Sequence, residues 1–324
     1  MFLKIDKLAV VLTVAGIFAA GSAVAQEKTF KLAHVFSTDH PVHLGVLKAD
    51  ELLQEKSDGR FALQIFPSGT FASYRDAITA VQLGTLDMAP LDTAIDCLPA
   101  SGVMLSPYTF RDYDHWRAFK ESDVYTTLLD DISDACDVEQ LSLYTFGFRH
   151  VTTGDTPATT LEDFNKLKLR VVNFAPYPEA ATVLGATGTP LPVADVYLAL
   201  SNGVADGQEN PFTQIVAMKL FEVQDYLILT GHMLASSGMT MSQRAWTGLS
   251  DEDQVMFREV FTEAAAYVDS IVIDGEAELL ATLVDEYGME LIEVDKQPFV
   301  DRVPMVMKKY PEFQELYNQI QAVE

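Results

Sequence analysis

The sequence predicts an α/β protein of two lobes built on mostly parallel sheets. Three observations carry that expectation: strands and helices alternate in the front half, a second alternation begins near Leu141, and 324 residues exceed what one hydrophobic core usually supports.

The front half reads in order. Thr29 to Val35 alternates polar and apolar residues as a strand does, Val42 to Lys56 repeats apolar positions at helical spacing, and Phe61 to Phe66 alternates again. A helix over Tyr74 to Leu83, broken by Gly84, and a short apolar strand at Leu86 to Ala89 follow. This β-α-β-α-β order implies right-handed crossovers and parallel pairing. In the second unit Leu141–Phe146 and Lys168–Val172 read as strands flanking a helical Leu161–Leu167, with further helices at Pro178–Leu184 and Ala194–Leu200. Ser250 to Asp253 has the S-x-x-D capping pattern and opens a helix running toward Leu283, long enough to tie both lobes together. The ending, Pro298 to Ala322, is helical with a break at Pro311.

Residues 1–25 read as a signal peptide: Lys4 and Lys7 precede the apolar Leu8–Ala20, and Ala23-Val24-Ala25 fits cleavage before Gln26. The rest of the chain is expected to be exported to the periplasm. The chain carries a net charge of −25; without Lys4, Asp6 and Lys7 it has 20 basic against 46 acidic residues, or −26. Such a surface repels phosphate backbones and excludes nucleic acid as a partner. The chain's two cysteines, Cys97 and Cys136, are open to two readings, a disulfide in an oxidising compartment or a pair of buried thiols.

Enzyme motifs are missing: there is no G-x-S-x-G, C-x-x-C, H-E-x-x-H or phosphate loop. His40 and His43 sit one helical turn apart, but Pro41 between them marks a helix start and no third ligand is near, so no metal or other cofactor is expected.

The stretch from Leu161 to Pro211 is the most informative. Its LKLRV strand with Arg170, the GATGTPLP turn leading into DVYLAL, and the DGQENP segment resemble the solute receptors of TRAP (tripartite ATP-independent periplasmic) transporters. HPVH, GTLDMA, GFRHVTT around Arg149 and FEVQDYLILTGH extend the resemblance over nearly the whole chain after the leader. It implies a two-lobed periplasmic-binding-protein-like fold that closes on a small organic anion and delivers it to integral-membrane transporter subunits. The expected lobes are residues 26–147 with about 236–275, and 148–235 with about 276–310, followed by a C-terminal helix over about 311–324, in a monomer. Capture for transport and presentation to a membrane sensor kinase are both open to such a receptor.

The resemblance also assigns residues. Arg170 corresponds to the arginine that pairs with the ligand carboxylate, a task suited to a planar guanidinium with parallel N–H donors; its place between Leu169 and Val171 in an apolar strand argues independently against a surface role. Arg149 corresponds to a second ligand-contacting arginine, with a structural ion pair as the bland alternative. Asn210 offers an amide in the DGQENP turn, Asp92 an acceptor for a ligand hydroxyl or amine, and Asn173 and His232 fall near the cleft. Val35 and Val193 depart from the sialic-acid receptors of the family, which carry a polar and an aromatic residue there. Phe36, Phe174, Tyr177 and Phe212 are candidate pocket walls.

Overall fold

A computed structural model describes residues 27–91 and 94–324. The expected leader and the candidate Asp92 lie outside the described residues.

Among the described residues there are nine strands: β1 (Lys28–Ala33), β2 (Phe61–Phe66), β3 (Met88–Leu91), β4 (Val138–Thr153), β5 (Lys168–Val171), β6 (Thr187–Pro190), β7 (Gly207–Pro211), β8 (Tyr226–Ser242) and β9 (Glu290–Glu293). They form one sheet of order β2-β1-β3-β8-β4-β7-β5-β6, with β9 alongside the start of β8. Five of the eight pairings are parallel, and each of the three antiparallel ones involves β4 or β8. These two strands, 16 and 17 residues long, run side by side through the middle, so both ends of the sheet hang on the same pair.

The helices are α1 (Pro41–Lys56), α2 (Tyr74–Gln82), α3 (Tyr113–Lys120), α4 (Asp123–Cys136), α5 (Leu161–Phe164), α6 (Pro178–Leu184), α7 (Val196–Ser201), α8 (Phe212–Ala217), α9 (Gln243–Trp246), α10 (Asp251–Ala281), α11 (Gln297–Val300), α12 (Val303–Lys309) and α13 (Gln314–Gln321). Their starts follow side-chain chemistry. Ser73 accepts from the Asp76 N–H at α2 and Ser250 from the Asp253 N–H at α10, satisfying donors that a helix leaves open. Pro41 opens α1, where His40 accepts from the Val42 N–H at 3.2 Å. Capping therefore occupies the Nδ1 of His40, and His43 faces His34 at 3.0 Å.

At 31 residues, α10 is about 46 Å long. It packs on α1, β4 and α8. Gly45 of α1 lets the two helices approach: a methyl there would collide with Val268 of α10. Farther on, buried Asp269 accepts from the Thr145 N–H at 2.7 Å, the Lys120 ammonium at 2.7 Å and the Trp116 indole at 3.2 Å. One carboxylate thus pins α10 to β4 and to α3.

Several elements differ from the sequence expectation. The strand expected at Leu141–Phe146 is the middle of β4, and its sixteen residues are all buried, so no in-and-out alternation marks its ends. The helix expected at Leu161–Leu167 stops at Phe164, because the chain must turn into β5. Asn210 lies in strand β7 rather than in a turn, paired with β4 at His150. Arg149 sits inside β4, which runs on to Thr153. The helical C terminus breaks at Pro311 as expected and again at Asp301–Arg302. Cys97 and Cys136 form a disulfide with Cα atoms 5.3 Å apart, which decides between the two cysteine readings.

Candidate functional site

Four neighbouring strands bring four of the six candidates into one buried cluster. Reading across the sheet, β8 carries His232, β4 carries Arg149, β7 carries Asn210 and β5 carries Arg170. The register sets Arg149 opposite Pro211 and Met233, and Arg170 opposite Gln208.

Glu209, which the sequence reading did not single out, organises the cluster. Its carboxylate is fully buried and accepts from Arg149 Nε, from Arg149 Nη2 at 2.9 Å and from His232 Nε2 at 3.3 Å. Burial alone would raise its pKa; the Arg149 charge and the His232 hydrogen bond outweigh that and hold the group down to about 2. Burial pushes the His232 pKa down, so its ring is neutral at pH 7. An ionised Glu209 then requires the proton on Nε2, and Nδ1 accepts from the Thr230 hydroxyl at 2.8 Å. Glu209 was legible as an acid inside a five-residue segment bounded by Gly207 and Pro211, but only the register shows which side chain it faces.

Arg149 also donates from Nη2 to the Glu209 carbonyl at 2.6 Å and to Asn210 Oδ1 at 3.1 Å, while its guanidinium stacks over the Tyr177 ring at 5.1 Å. The Asn210 amide in turn donates to Gln208, whose own amide donates to Thr152 at 2.9 Å. This polar network fixes the amide orientation.

Arg170 is different. It is 1% exposed, yet among the described residues it has no ion-pair partner. Nε and Nη2 both donate to the Leu191 carbonyl, at 3.1 and 2.6 Å, and Nη1 makes no hydrogen bond to a described residue. Burial pulls its pKa down to about 10, with attraction to Glu209 opposing that and repulsion from Arg149 adding to it, so the group stays charged at neutral pH. Since Glu209 already balances Arg149, the described cluster holds one uncompensated buried positive charge. Such a charge is costly unless something negative meets it.

The remaining candidates fall elsewhere. Asn173 is exposed in the bend after β5, and no hydrogen bond described here joins it to the cluster. Tyr177 is buried under Arg149 and packs edge-on against Phe174 at 5.1 Å. Phe212 stacks on His150 at 4.6 Å and Phe36 on His40 at 4.5 Å, so both are tied into local packing. Val35 and Val193 are exposed. Among the described residues, no group of three or more His, Cys, Asp and Glu side chains could hold a metal, and no helix is long and apolar enough to cross a membrane.

Known proteins resemble the chain over most of its length. A solute-binding protein of Roseobacter denitrificans is 31% identical over 300 residues, covering 92% of this chain and 91% of its own. The sialic acid-binding periplasmic protein SiaP of Vibrio cholerae is 30% identical, over 90% of this chain and 91% of its own. The crystal structure of a TRAP periplasmic solute-binding protein from Polaromonas, bound to D-erythronate, superposes with a TM-score of 0.85 at 29% identity, covering 92% of this chain and 99% of that one. The model of bacterial extracellular solute-binding protein family 7, DctP, matches residues 32–314, and the chain belongs to that family, the solute-binding proteins of TRAP transporters.

Proposed function

We propose that the chain is the periplasmic receptor of a TRAP transporter and captures a small organic carboxylate on Arg170. The observation that carries this reading is the uncompensated Arg170 charge, held in place by the Leu191 carbonyl. A carboxylate arriving at Nη1 would receive a charge-assisted hydrogen bond from a group that loses no freedom on binding. Arg149, neutralised by Glu209, orients Asn210 and Tyr177 beside it. Solved relatives in complex with D-erythronate, D-glucuronate and L-galactonate support an acid as ligand.

Capture proceeds by closure of two lobes, residues 26–147 with about 236–275 against 148–235 with about 276–310, and the closed form is handed to the membrane subunits. Residues 1–25 direct export to the periplasm, and the ligand leaves unchanged. The receptor acts as a monomer.

A thermal-shift screen of residues 26–324 tests the reading with sugar acids, hydroxy and oxo acids, dicarboxylates, ectoines, amino acids and uncharged sugars. A ligand at one hundred times its Kd adds about 2.7 kcal/mol of stability. Stabilisation by carboxylates that disappears in Arg170→Ala supports it. Stabilisation by uncharged sugars alone overturns it.

A further inference from the structure

Four polar side chains form a buried row that leads away from the arginine cluster: Asn210 and Gln208 on β7, Thr152 on β4, and Gln224 in the segment entering β8. Asn210 is the most exposed of them, at 6%. Register sets Thr152 directly opposite Gln208. Such a row is costly unless each of its hydrogen bonds is made, and apolar residues of the same size would avoid that penalty. Stability does not call for it, so its use lies in what it orients.

The two ends of the row fix the direction of every bond in it. At one end the Arg149 guanidinium can only donate, so the Asn210 atom 3.1 Å from its Nη2 is the oxygen. Asn210 Nδ2 then faces Gln208 Oε1, and Gln208 Nε2 donates to the Thr152 hydroxyl at 2.9 Å. That hydroxyl has a single hydrogen and gives it to Gln224 Oε1 at 3.0 Å. At the far end Gln224 Nε2 donates at 2.8 Å to the Val223 carbonyl, which can only accept. No amide between these ends can turn over without setting two donors or two acceptors face to face.

Arg149 alone would hold one atom of the Asn210 amide. The row behind Gln208 holds a second, and two points fix the plane of the amide and the direction of the Nδ2 hydrogen that no described residue accepts. Arg170 pairs with Gln208 across β5 and β7, and Asn210 lies two residues farther along β7, about 7 Å, on the same face.

We propose that Thr152 and Gln224 are positioning residues for ligand capture: through Gln208 they hold Asn210 as a hydrogen-bond donor beside Arg170, aimed at an acceptor oxygen of the ligand. This role rests on the carboxylate reading of Arg170. Preorganisation of the donor is its physical content, since an amide already fixed in plane loses no freedom when the ligand arrives.

The test is calorimetric titration with D-erythronate, D-glucuronate, L-galactonate and lactate, after which the tightest of the four is carried into variants. Thr152→Val keeps the side-chain shape and removes the hydroxyl, whereas Thr152→Ser keeps the hydroxyl. Thr152→Val should weaken binding at least fivefold and Thr152→Ser should stay within twofold of wild type. In the Asn210→Ala background, adding Thr152→Val should change affinity by less than twofold, because Thr152 acts through Asn210. Wild-type affinity in Thr152→Val, or an equal loss in the Asn210→Ala background, would overturn the positioning role and leave the Arg170 reading standing. Binding of none of the four acids would overturn both. In the wild-type protein, where no variant has to fold, the same acid should shift one of the two Asn210 side-chain amide protons in the NMR spectrum and leave the one on Gln208 in place. Movement of neither, or of both alike, would overturn the donor assignment.

Discussion

Glu209 spends its carboxylate on Arg149, through Nε and Nη2, and makes no hydrogen bond to Arg170. Two buried guanidinium groups flanking the same strand are therefore in opposite electrostatic states, one compensated by Glu209 and one without an ion-pair partner among the described residues.

Opposite signs of stability change should follow. Arg170→Met removes an unpaired buried charge, so the ligand-free protein should melt higher or unchanged while carboxylate binding is lost. Arg149→Met strands Glu209 as a buried anion and should cost about 3–5 kcal/mol. Thermal and urea denaturation of the two variants check this; a large loss of stability in Arg170→Met would show that its charge is balanced within the fold.

Acid should weaken the protein in two stages. Burial lowers the pKa of His34 to about 4 and those of His40 and His150 to about 3, from a starting value of 6.5. A depressed folded-state pKa means that the unfolded chain takes up protons first, so this stability is complete above pH 6.5 and falls as the pH drops to about 4 for His34 and about 3 for His40 and His150. Glu209 adds a further loss between 4.5 and 2. Urea unfolding from pH 7.5 to 4.5 should show the first stage, and His150→Gln should flatten the slope by up to about 1.4 kcal/mol per pH unit.

The contact between α1 and α10 makes a size-sensitive pair. Gly45→Ala drives a methyl into Val268 and should cost about 1–3 kcal/mol. Val268→Ala should recover part of that loss when added to Gly45→Ala, a non-additivity that a double-mutant cycle in urea reads directly.

The Cys97–Cys136 disulfide spans 39 residues and fastens the segment after β3 to the end of α4. The double variant Cys97→Ser/Cys136→Ser should lose about 2–4 kcal/mol in chemical denaturation. An unchanged midpoint would mean that packing alone holds Cys97 in place.

How much of this was legible depended on whether a residue's surroundings are local. Phe61–Phe66 appears as read because its alternation mirrors one covered and one open face. The Ser250 cap was readable because its partner is three residues away. Strand β4 was only partly readable: with both faces buried, Gln140, Ser142, Thr145 and Thr152 occupy positions where a half-buried strand would show apolar residues. Strand β6, a TGTP segment on the sheet edge, gave no hydrophobic signal at all. At the site, Arg170 stood out as a charge in an apolar strand. Glu209 did not, since one acid among 47 acquires meaning only when β7 lies against β4 and its carboxylate reaches Arg149, two residues along β4 from its own register partner Val151. The stack of Tyr74 on Phe174 joins residues one hundred positions apart and has no sequence signature.

The shared pair β4 and β8 also governs how the molecule comes apart. β3 on one side of this pair and β7 on the other each take their inner neighbour from it, so neither side keeps a complete sheet once β4 and β8 separate. Loss of one end strips backbone partners from the other, and the free energy of partial melting approaches that of complete melting. Despite two α/β units in the chain order, calorimetry should record one cooperative heat-absorption peak, with calorimetric and van't Hoff enthalpies in agreement.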